Sequence, residues 1–322
     1  MESCQRKQGF ERVVGYIKGA IREGSETNLD VEELADICNE RSKIDISQTW
    51  YEDLRTNVVN EDLDKEITQE EIEEAAEKLK DSKTSDGITA STVKFLLPTL
   101  MTLLIILYNM TFIGGPTAYP TNWITFVNGI PKKGKLEPPK FVRFISVMGI
   151  FEKIYQIILS SRLCKLLKIP SQQTAYQKER NCSLHVMSIR LLKILTKKTK
   201  NKLYIIFTDF EAAFDLVSRR LLFEKLIKLG VSATMLCALL SLYITSKAVV
   251  ESGGQFSDYL ILLAGVKQGG PPSGLVYIAY TLDLIDIYEN KFHPEPLIYI
   301  YHLLMHADDI LMLSTSRKIA ID

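Results

Sequence analysis

The sequence has little of what marks several common classes of protein. Its five cysteines are odd in number and scattered, and none are spaced as Cys-x-x-Cys. Neither a zinc site nor a disulfide framework is therefore indicated, and we expect reduced thiols with no disulfide-linked partner. Net charge is zero, because 39 basic residues balance 39 acidic ones. This balance argues weakly against a nucleic-acid binder, for which a basic face is expected.

Targeting signals and long hydrophobic runs are also scarce. The N-terminus is polar and carries no signal peptide, so we expect an intracellular protein, in the nucleus or the cytoplasm. The most apolar stretch, residues 95–113, is interrupted by Pro98 and several polar side chains. Its strictly apolar part, residues 103–107, is far shorter than the roughly 20 residues that a membrane span needs. A buried helix is predicted there, and no membrane partner.

The composition that is present suits a globular protein of ordinary type. Hydrophobic residues make up 46% and charged residues 24% of 322 positions, which is enough for a large core and two subdomains. Charge is unevenly spread, because residues 61–81 hold ten acidic and three basic side chains. The remainder of the chain is therefore basic on balance, and a basic groove is possible.

Local signals predict several helices. Thr68 and Glu71 form a capping box at the start of one helix, and Ser91 marks the start of the next. A later helix is capped by Ser218 and stopped by Gly230. The last one begins at Ser273, as its cap, and runs to about residue 288.

Two adjacent carboxylates, Asp308 and Asp309, lie between short apolar runs typical of strands, which predicts the tip of a β-hairpin. On extended backbone the two side chains point in opposite directions, so one can hold a metal while the other lies beside it. Taken alone, the pair is more typical of a turn than of a metal site.

A third carboxylate, Asp209, ends the apolar run 203–208, which predicts a buried strand. If this strand neighbours the hairpin in one antiparallel sheet, Asp209 and Asp308 meet at one edge. Converging aspartates bind Mg²⁺, and a pair of such ions can stabilise an in-line phosphoryl displacement. Lys132, Lys133 and Arg143 would then neutralise a triphosphate, although a solvated loop explains the two lysines equally well.

Seven short motifs follow one another along the chain: Pro120-x-x-Trp123, Ile130-Pro131-Lys132-Lys133-Gly134, Arg143-Phe144-Ile145-Ser146, Gln173-Thr174-Ala175-Tyr176 with Arg180, Asp209-Phe210-Glu211-Ala212-Ala213-Phe214-Asp215, Gly265-Val266-Lys267-Gln268-Gly269 with Ser273, and His306-Ala307-Asp308-Asp309. In this order and spacing they resemble the reverse transcriptases of non-LTR (LINE-type) retrotransposons. The resemblance covers roughly residues 66–322.

The resemblance implies an α+β fold with the fingers and palm of a right-hand polymerase, in which a small antiparallel sheet packs on helices. It divides the chain into an N-terminal extension (1–65), a fingers-like helical region (66–200) and an incomplete palm-like catalytic region (201–322). On this comparison the chain ends soon after the Ala-Asp-Asp motif, and we expect the thumb to be absent.

The resemblance also implies roles for individual residues. The catalytic and metal-binding residues would be Asp209, Asp308 and Asp309, which would bind two Mg²⁺ ions, or Mn²⁺. Nucleotide contacts would come from Lys132, Arg143, Phe214 and Gln268. Phe214 would be the steric gate against a ribose 2′-hydroxyl, although without the motif a core aromatic is the better interpretation. The partners would be an RNA template, a DNA primer and deoxynucleoside triphosphates.

The motifs depart from the family pattern at six positions. His306 replaces a Tyr of the family, Phe144 and Gly274 each replace a Pro, Gly270 replaces an Asp, and Ala175 and Glu179 each replace a Gly. Three interpretations therefore stay open: a reverse transcriptase domain, a catalytically degenerate transposon-derived remnant that binds nucleic acid or protein at most, and another palm-fold polymerase. The bulk of Phe214 argues against an RNA polymerase. His306 could ligate a metal, but a lone His in a hairpin is more often a packed neutral residue.

Overall fold

A computed structural model of the chain describes residues 30–42, 51–131, 142–210, 212–245, 247–291 and 303–315. The predicted nucleotide contact of Lys132 and most of the predicted extension 1–65 lie outside the described residues.

The described residues form a mixed α+β fold in which helices predominate, as predicted. Ten α-helices occur in this part of the chain: α1 (Val31–Ser42), α2 (Glu61–Asp64), α3 (Gln69–Glu77), α4 (Ala90–Gly114), α5 (Ile150–Leu166), α6 (Cys182–Lys198), α7 (Arg219–Lys228), α8 (Ala233–Ile244), α9 (Ser273–Thr281) and α10 (Asp283–Lys291).

The strands of the described residues form two small sheets. The strands are β1 (Ile124–Pro131), β2 (Val142–Val147), β3 (Tyr204–Thr208), β4 (Lys247–Ser252), β5 (Gln255–Phe256), β6 (Leu303–His306) and β7 (Asp309–Ser314). One sheet has the order β2-β1-β4-β5, with β1 and β4 parallel and the other pairs antiparallel. The second sheet is wholly antiparallel, with the order β3-β7-β6.

Local sequence signals set several of these boundaries. The Thr68–Glu71 capping box forms at the start of α3, and Ser218 accepts the amide of Leu221 at the start of α7. Gly230, with φ +84°, ends α7 in the left-handed conformation that a residue without Cβ adopts at low cost. These predictions are confirmed.

Two predicted helix starts are wrong by one or two residues. Thr89 rather than Ser91 caps α4, because its hydroxyl accepts the amide of Thr92. Pro272 precedes the first residue of α9, and Ser273 lies inside the helix without a capping hydrogen bond. The predicted helix to about residue 288 is divided at Leu282 into α9 and α10.

The largest hydrophobic core joins the two halves of the sequence. Ile72, Tyr108 and Tyr155, on α3, α4 and α5, share one cluster with Phe223 and Val276, on α7 and α9. Each of these side chains is almost completely buried. Burial of aromatic and aliphatic groups on this scale is the main source of stability, at about 25 cal/mol per Å² of apolar surface. This core includes α7 and α9, whereas β6 and β7 pack into two smaller clusters, one with α6 and one with α10.

The prediction of a buried helix at residues 95–113 holds for one face of α4. Leu104 and Phe112 are buried, but Leu103, Met110 and Ile113 are largely exposed. Residues 90–117 form a segment that is long and apolar enough to cross a membrane, and 28% of its most apolar 18-residue stretch is buried in the fold. Core helices of soluble proteins have the same length and composition, so this property is weak evidence for a span.

Candidate active site

The structure brings Asp209 to the edge of the hairpin that carries Asp308 and Asp309. Strands β3 and β7 are antiparallel neighbours, and Thr208 pairs with Ile310. Asp209 directly follows Thr208 and Asp309 directly precedes Ile310, so the two residues lie at the same end of the strand pair. Strands β6 and β7 pair His306 with Asp309, so Ala307 and Asp308 form the turn between them. The predicted hairpin and the predicted neighbouring strand are both present.

The three carboxylates act on one another electrostatically. Burial raises the pKa of Asp308 above the usual aspartate range, and the negative charges of Asp309 and Asp209 raise it further. Asp209 and Asp309 themselves are exposed, whereas Asp308 is half-buried. A concentration of negative charge around one half-buried carboxylate is relieved by a cation, so the turn is a favourable place for a positive ion.

The positive charge of Arg143 acts on the same carboxylate, Asp308. Arg143 lies on β2, is exposed, and its charge opposes the raised pKa of Asp308. An arginine within an apolar strand needs an anionic partner, either in the protein or in a substrate. The carboxylate at the hairpin turn supplies an electrostatic partner, and the exposed guanidinium keeps its donors available to a ligand.

An aromatic cluster lies beside Asp308. The ring of Phe214 stacks on Tyr277, with centroids 4.6 Å apart and planes at 11°, while Tyr176 meets Phe214 edge-on at 6.4 Å. Burial and the charge of Asp308 both raise the pKa of Tyr176. Gly274 makes room for this ring, because a Cβ at residue 274 would lie 2.4 Å from Cγ of Tyr176.

The glycine-rich segment 265–274 is fastened to the loop after Asp209. The amide of Val266 donates to the carbonyl of Phe214 at 2.9 Å, and Gly265, with φ +78°, packs directly on the backbone of Asp215. Gln268 is held from the other side, because its carbonyl accepts the amide of Ser146 at 2.6 Å. The segments carrying Phe214, Gln268 and Arg143 are therefore held against one another.

A buried polar network that sequence reasoning missed supports the same segment. Lys267 donates to Thr125 at 3.0 Å and pairs with Glu152 at 3.4 Å, and burial lowers the pKa of this lysine. Glu152 is completely buried and also accepts hydrogen bonds from Tyr119 and Gln156. A carboxylate within the apolar stripe of a helix was the available signal, since a buried charge needs a partner.

A cavity of about 390 Å³ borders two of the three carboxylates. Asp209 and Asp309 form part of its wall, together with His185, Phe207 and His306. The prediction of a buried strand at 203–208 is wrong, because one face of β3 is only partly buried and the other is exposed, with Phe207 77% exposed. Nδ1 of His306 and the hydroxyl of Thr174 share a hydrogen bond of 3.0 Å. A packed histidine in a hairpin is expected to have such a partner.

The donor chemistry of the hairpin edge fits a divalent cation of the magnesium type. Mg²⁺ prefers oxygen ligands and is usually held by one or two carboxylates together with substrate phosphates. Within the described ranges, no three or more His, Cys, Asp or Glu side chains are grouped closely enough to hold an ion by themselves. Asp209 and Asp308 suit an ion that completes its shell from a phosphate-bearing substrate.

The model of the reverse transcriptase (RNA-dependent DNA polymerase) family matches residues 130–322, which is more than half of the chain. The chain belongs to this family. Arg143, Asp209, Asp308 and Asp309 all lie inside the matched range of this reverse transcriptase domain. No curated protein matches the chain. Membership confirms the resemblance at the level of reverse transcriptases, and with it RNA, DNA and nucleotides as the substrate class.

Proposed function

We propose that this chain is an RNA-directed DNA polymerase domain derived from a non-LTR retrotransposon, folded as fingers and palm. It would extend a DNA primer along an RNA template. The 3′-oxygen of the primer attacks the α-phosphorus of a deoxynucleoside triphosphate, a new P–O bond forms, the bond to the β-phosphate breaks, and pyrophosphate leaves while the hydroxyl proton is lost. Family membership supports the reaction, and the order of the seven motifs supports the lineage.

The observation that carries the proposal is the placement of Asp209 and Asp309 at the same end of two paired strands, with Asp308 in the adjoining turn. Two strands of one sheet and a tight turn hold these carboxylates on rigid backbone, as a positioned catalytic group requires. We assign Asp209 and Asp308 as ligands of the two Mg²⁺ or Mn²⁺ ions, with Asp309 as the third carboxylate. When bound, such ions neutralise the charge that develops on the attacking and leaving oxygens.

The residues around the carboxylates suit a nucleotide. Arg143 is exposed and close enough to influence Asp308, so its guanidinium can bind the triphosphate, with Lys132 assigned the same role from its motif. Phe214, held by Tyr277, would lie against the sugar and exclude a 2′-hydroxyl. Gln268, on a segment fixed to Ser146, would contact the nucleotide and the template.

Primer extension tests this function. The purified, folded full chain is given a DNA primer on poly(rA), dTTP, and Mg²⁺ or Mn²⁺. Metal-dependent extension by the wild type, abolished by Asp308→Ala, supports the proposal. A folded chain that binds the primer–template but extends it with neither ion supports the catalytically degenerate remnant instead.

A further inference from the structure

Gln173 is a buried side chain whose amide is directed at the hairpin turn. It is 1% exposed and 134 residues distant in sequence from Ala307. Its Oε1 accepts the amide of Ala307 and that of Ala175, each at 3.0 Å, and its Nε2 donates to the carbonyl of Ala307 at 3.4 Å. One side chain therefore satisfies both the donor and the acceptor of a single backbone residue.

That backbone residue has an unusual conformation. Ala307 has φ +58°, in the left-handed region that residues with a Cβ rarely adopt. It is buried, and it immediately precedes Asp308. A buried peptide group needs hydrogen-bond partners, and the two that Gln173 provides favour the conformation that places Asp308 in the turn.

The segment that carries Gln173 is itself fastened to the hairpin. The amide of Met305 donates to the carbonyl of Gln172 at 2.8 Å, and the amide of Thr174 donates to the carbonyl of Met305 at 3.0 Å. Residues 172–174 therefore extend the sheet beside β6. Gln173 starts from a fixed backbone and reaches the turn, so its amide has a defined geometry.

We propose that Gln173 is a positioning residue, which acts on Asp308 by holding Ala307 in the left-handed conformation. The inference rests on the proposed role of Asp308 as a metal ligand. Without Gln173 both polar groups of Ala307 lose these hydrogen bonds, and the turn can adopt other conformations that displace the carboxylate of Asp308. Groups that orient metal ligands change metal affinity by about 10- to 100-fold when they are removed.

The test combines amide exchange with metal binding in the full chain. Gln173→Met removes the hydrogen bonds and keeps the length of the side chain. Gln177→Met is the matched control, because Gln177 lies in the same loop and donates to the carbonyl of Gln173 rather than to the turn. Exchange of the Ala307 amide is followed by NMR, Mn²⁺ binding by calorimetry, and folding by the thermal midpoint.

We expect Gln173→Met to accelerate exchange at Ala307 at least about tenfold and to weaken Mn²⁺ binding by about 10-fold or more. Gln177→Met should change neither quantity by more than about twofold. A Gln173→Met protein with wild-type protection of Ala307 and wild-type Mn²⁺ affinity overturns the proposal. If that variant does not fold, Gln173→Asn, which keeps the amide but is one methylene too short to reach the turn, takes its place.

Failure of the proposed function is distinguishable from failure of this inference. A wild-type chain that neither binds Mn²⁺ nor extends a primer contradicts the polymerase proposal. Exchange at Ala307 still decides the role of Gln173 in that case, because it does not depend on metal or substrate. Faster exchange supports the positioning role, and unchanged exchange contradicts it.

Discussion

The rings of Phe214 and Tyr277 are stacked almost parallel, with centroids 4.6 Å apart. Tyr277 is 2% exposed on α9, whereas Phe214 is half-buried within the loop that begins at Asp209. One face of Phe214 is thus packed against the protein. The sequence allowed either a core aromatic or a wall of the nucleotide site at this position, and a ring packed on one side is compatible with both roles.

Replacement of Phe214 by Val should relax discrimination between sugars. The smaller side chain leaves room for a 2′-hydroxyl, so we expect the preference for dTTP over UTP on poly(rA) to fall at least about tenfold, equivalent to roughly 1.4 kcal/mol. Single-nucleotide extension with each triphosphate measures the ratio. Phe95→Val, at a ring that is 84% exposed on α4, should leave the ratio unchanged. Equal loss of both activities in Phe214→Val would speak for a packing role alone.

Gly274 and Tyr176 should show strong coupling in a double-mutant cycle. A Cβ at residue 274 meets the Tyr176 ring at 2.4 Å, so Gly274→Ala should lower the free energy of unfolding by about 1–3 kcal/mol. In a Tyr176→Ala background the same change should be neutral, or stabilising by up to about 1 kcal/mol, because residue 274 is helical. Urea unfolding of the four proteins gives the coupling. Additive effects would contradict the contact.

Features that depend on residues close together in the chain could be predicted from the sequence, whereas features that depend on distant residues could not. The Asp308 turn and the Thr68 capping box depend on neighbouring residues, and the sequence anticipated both. The order of the motifs, compared with the family that they resemble, then suggested that Asp209 lies beside the hairpin. The exposed face of β3 was not anticipated, because an apolar run does not reveal which face another element covers, and Phe207 is exposed.

Long-range polar pairs were beyond local patterns. Gln173 and Ala307 are 134 residues apart, and Glu152 and Lys267 are 115 residues apart. Each pairing depends on tertiary packing that brings distant segments together, and neither spacing nor composition specifies it. Residues that belong to a motif could be assigned roles from the sequence. The residues that hold them in place could be identified only from the structure.

The pKa of Asp308 should respond to its charged neighbours in opposite directions. Burial raises this pKa, Asp309 and Asp209 raise it further, and Arg143 lowers it. Arg143→Gln should therefore raise the pKa of Asp308 and Asp309→Asn should lower it, as measured by ¹³C NMR titration of the metal-free chain. Exposed Arg55→Gln is the control and should have no effect.

The raised pKa of Asp308 determines how the free energy of unfolding depends on pH. The folded state binds this proton more tightly than the unfolded state, so the contribution of Asp308 is fully present below about pH 3.9 and is lost as pH rises through the folded pKa. Metal binding requires the deprotonated carboxylate, so Mn²⁺ affinity should fall on acidification at a higher pH in Arg143→Gln than in the wild type. Identical pH profiles would contradict the electrostatic link.

Arg162 should be the most sensitive ion-pair residue for stability. It is 2% exposed, pairs with Glu71 at 2.7 Å, and donates to the carbonyls of Leu63, Lys65 and Glu66. Arg162→Met leaves these groups unpaired, and we expect a loss of about 3–5 kcal/mol in urea unfolding. Arg220→Met, which breaks the exposed pair with Glu224, should cost at most about 0.5 kcal/mol.

The same pair should confer acid sensitivity. Burial alone would raise the pKa of Glu71, but the hydrogen bonds and charge of Arg162 outweigh it and lower this pKa. The resulting stability is present above about pH 4.3 and is lost as pH falls through the folded pKa. In Glu71→Gln the acid-dependent loss of stability should be smaller than in the wild type, because this titrating group is gone. Unfolding at pH 7 and pH 3 measures the difference.

The most direct measurement of the central claim is addition of one nucleotide, opposite a defined RNA template base, by wild type, Asp308→Asn and the control Asp258→Asn. Asp308→Asn keeps the size of the turn residue and removes its charge, whereas Asp258 is exposed and lies outside the candidate site. Addition by wild type and by Asp258→Asn in Mg²⁺ or Mn²⁺, with a loss of at least about 10³-fold in Asp308→Asn, is the predicted result. Equal rates in all three proteins would contradict the assignment of the hairpin carboxylates as the catalytic centre.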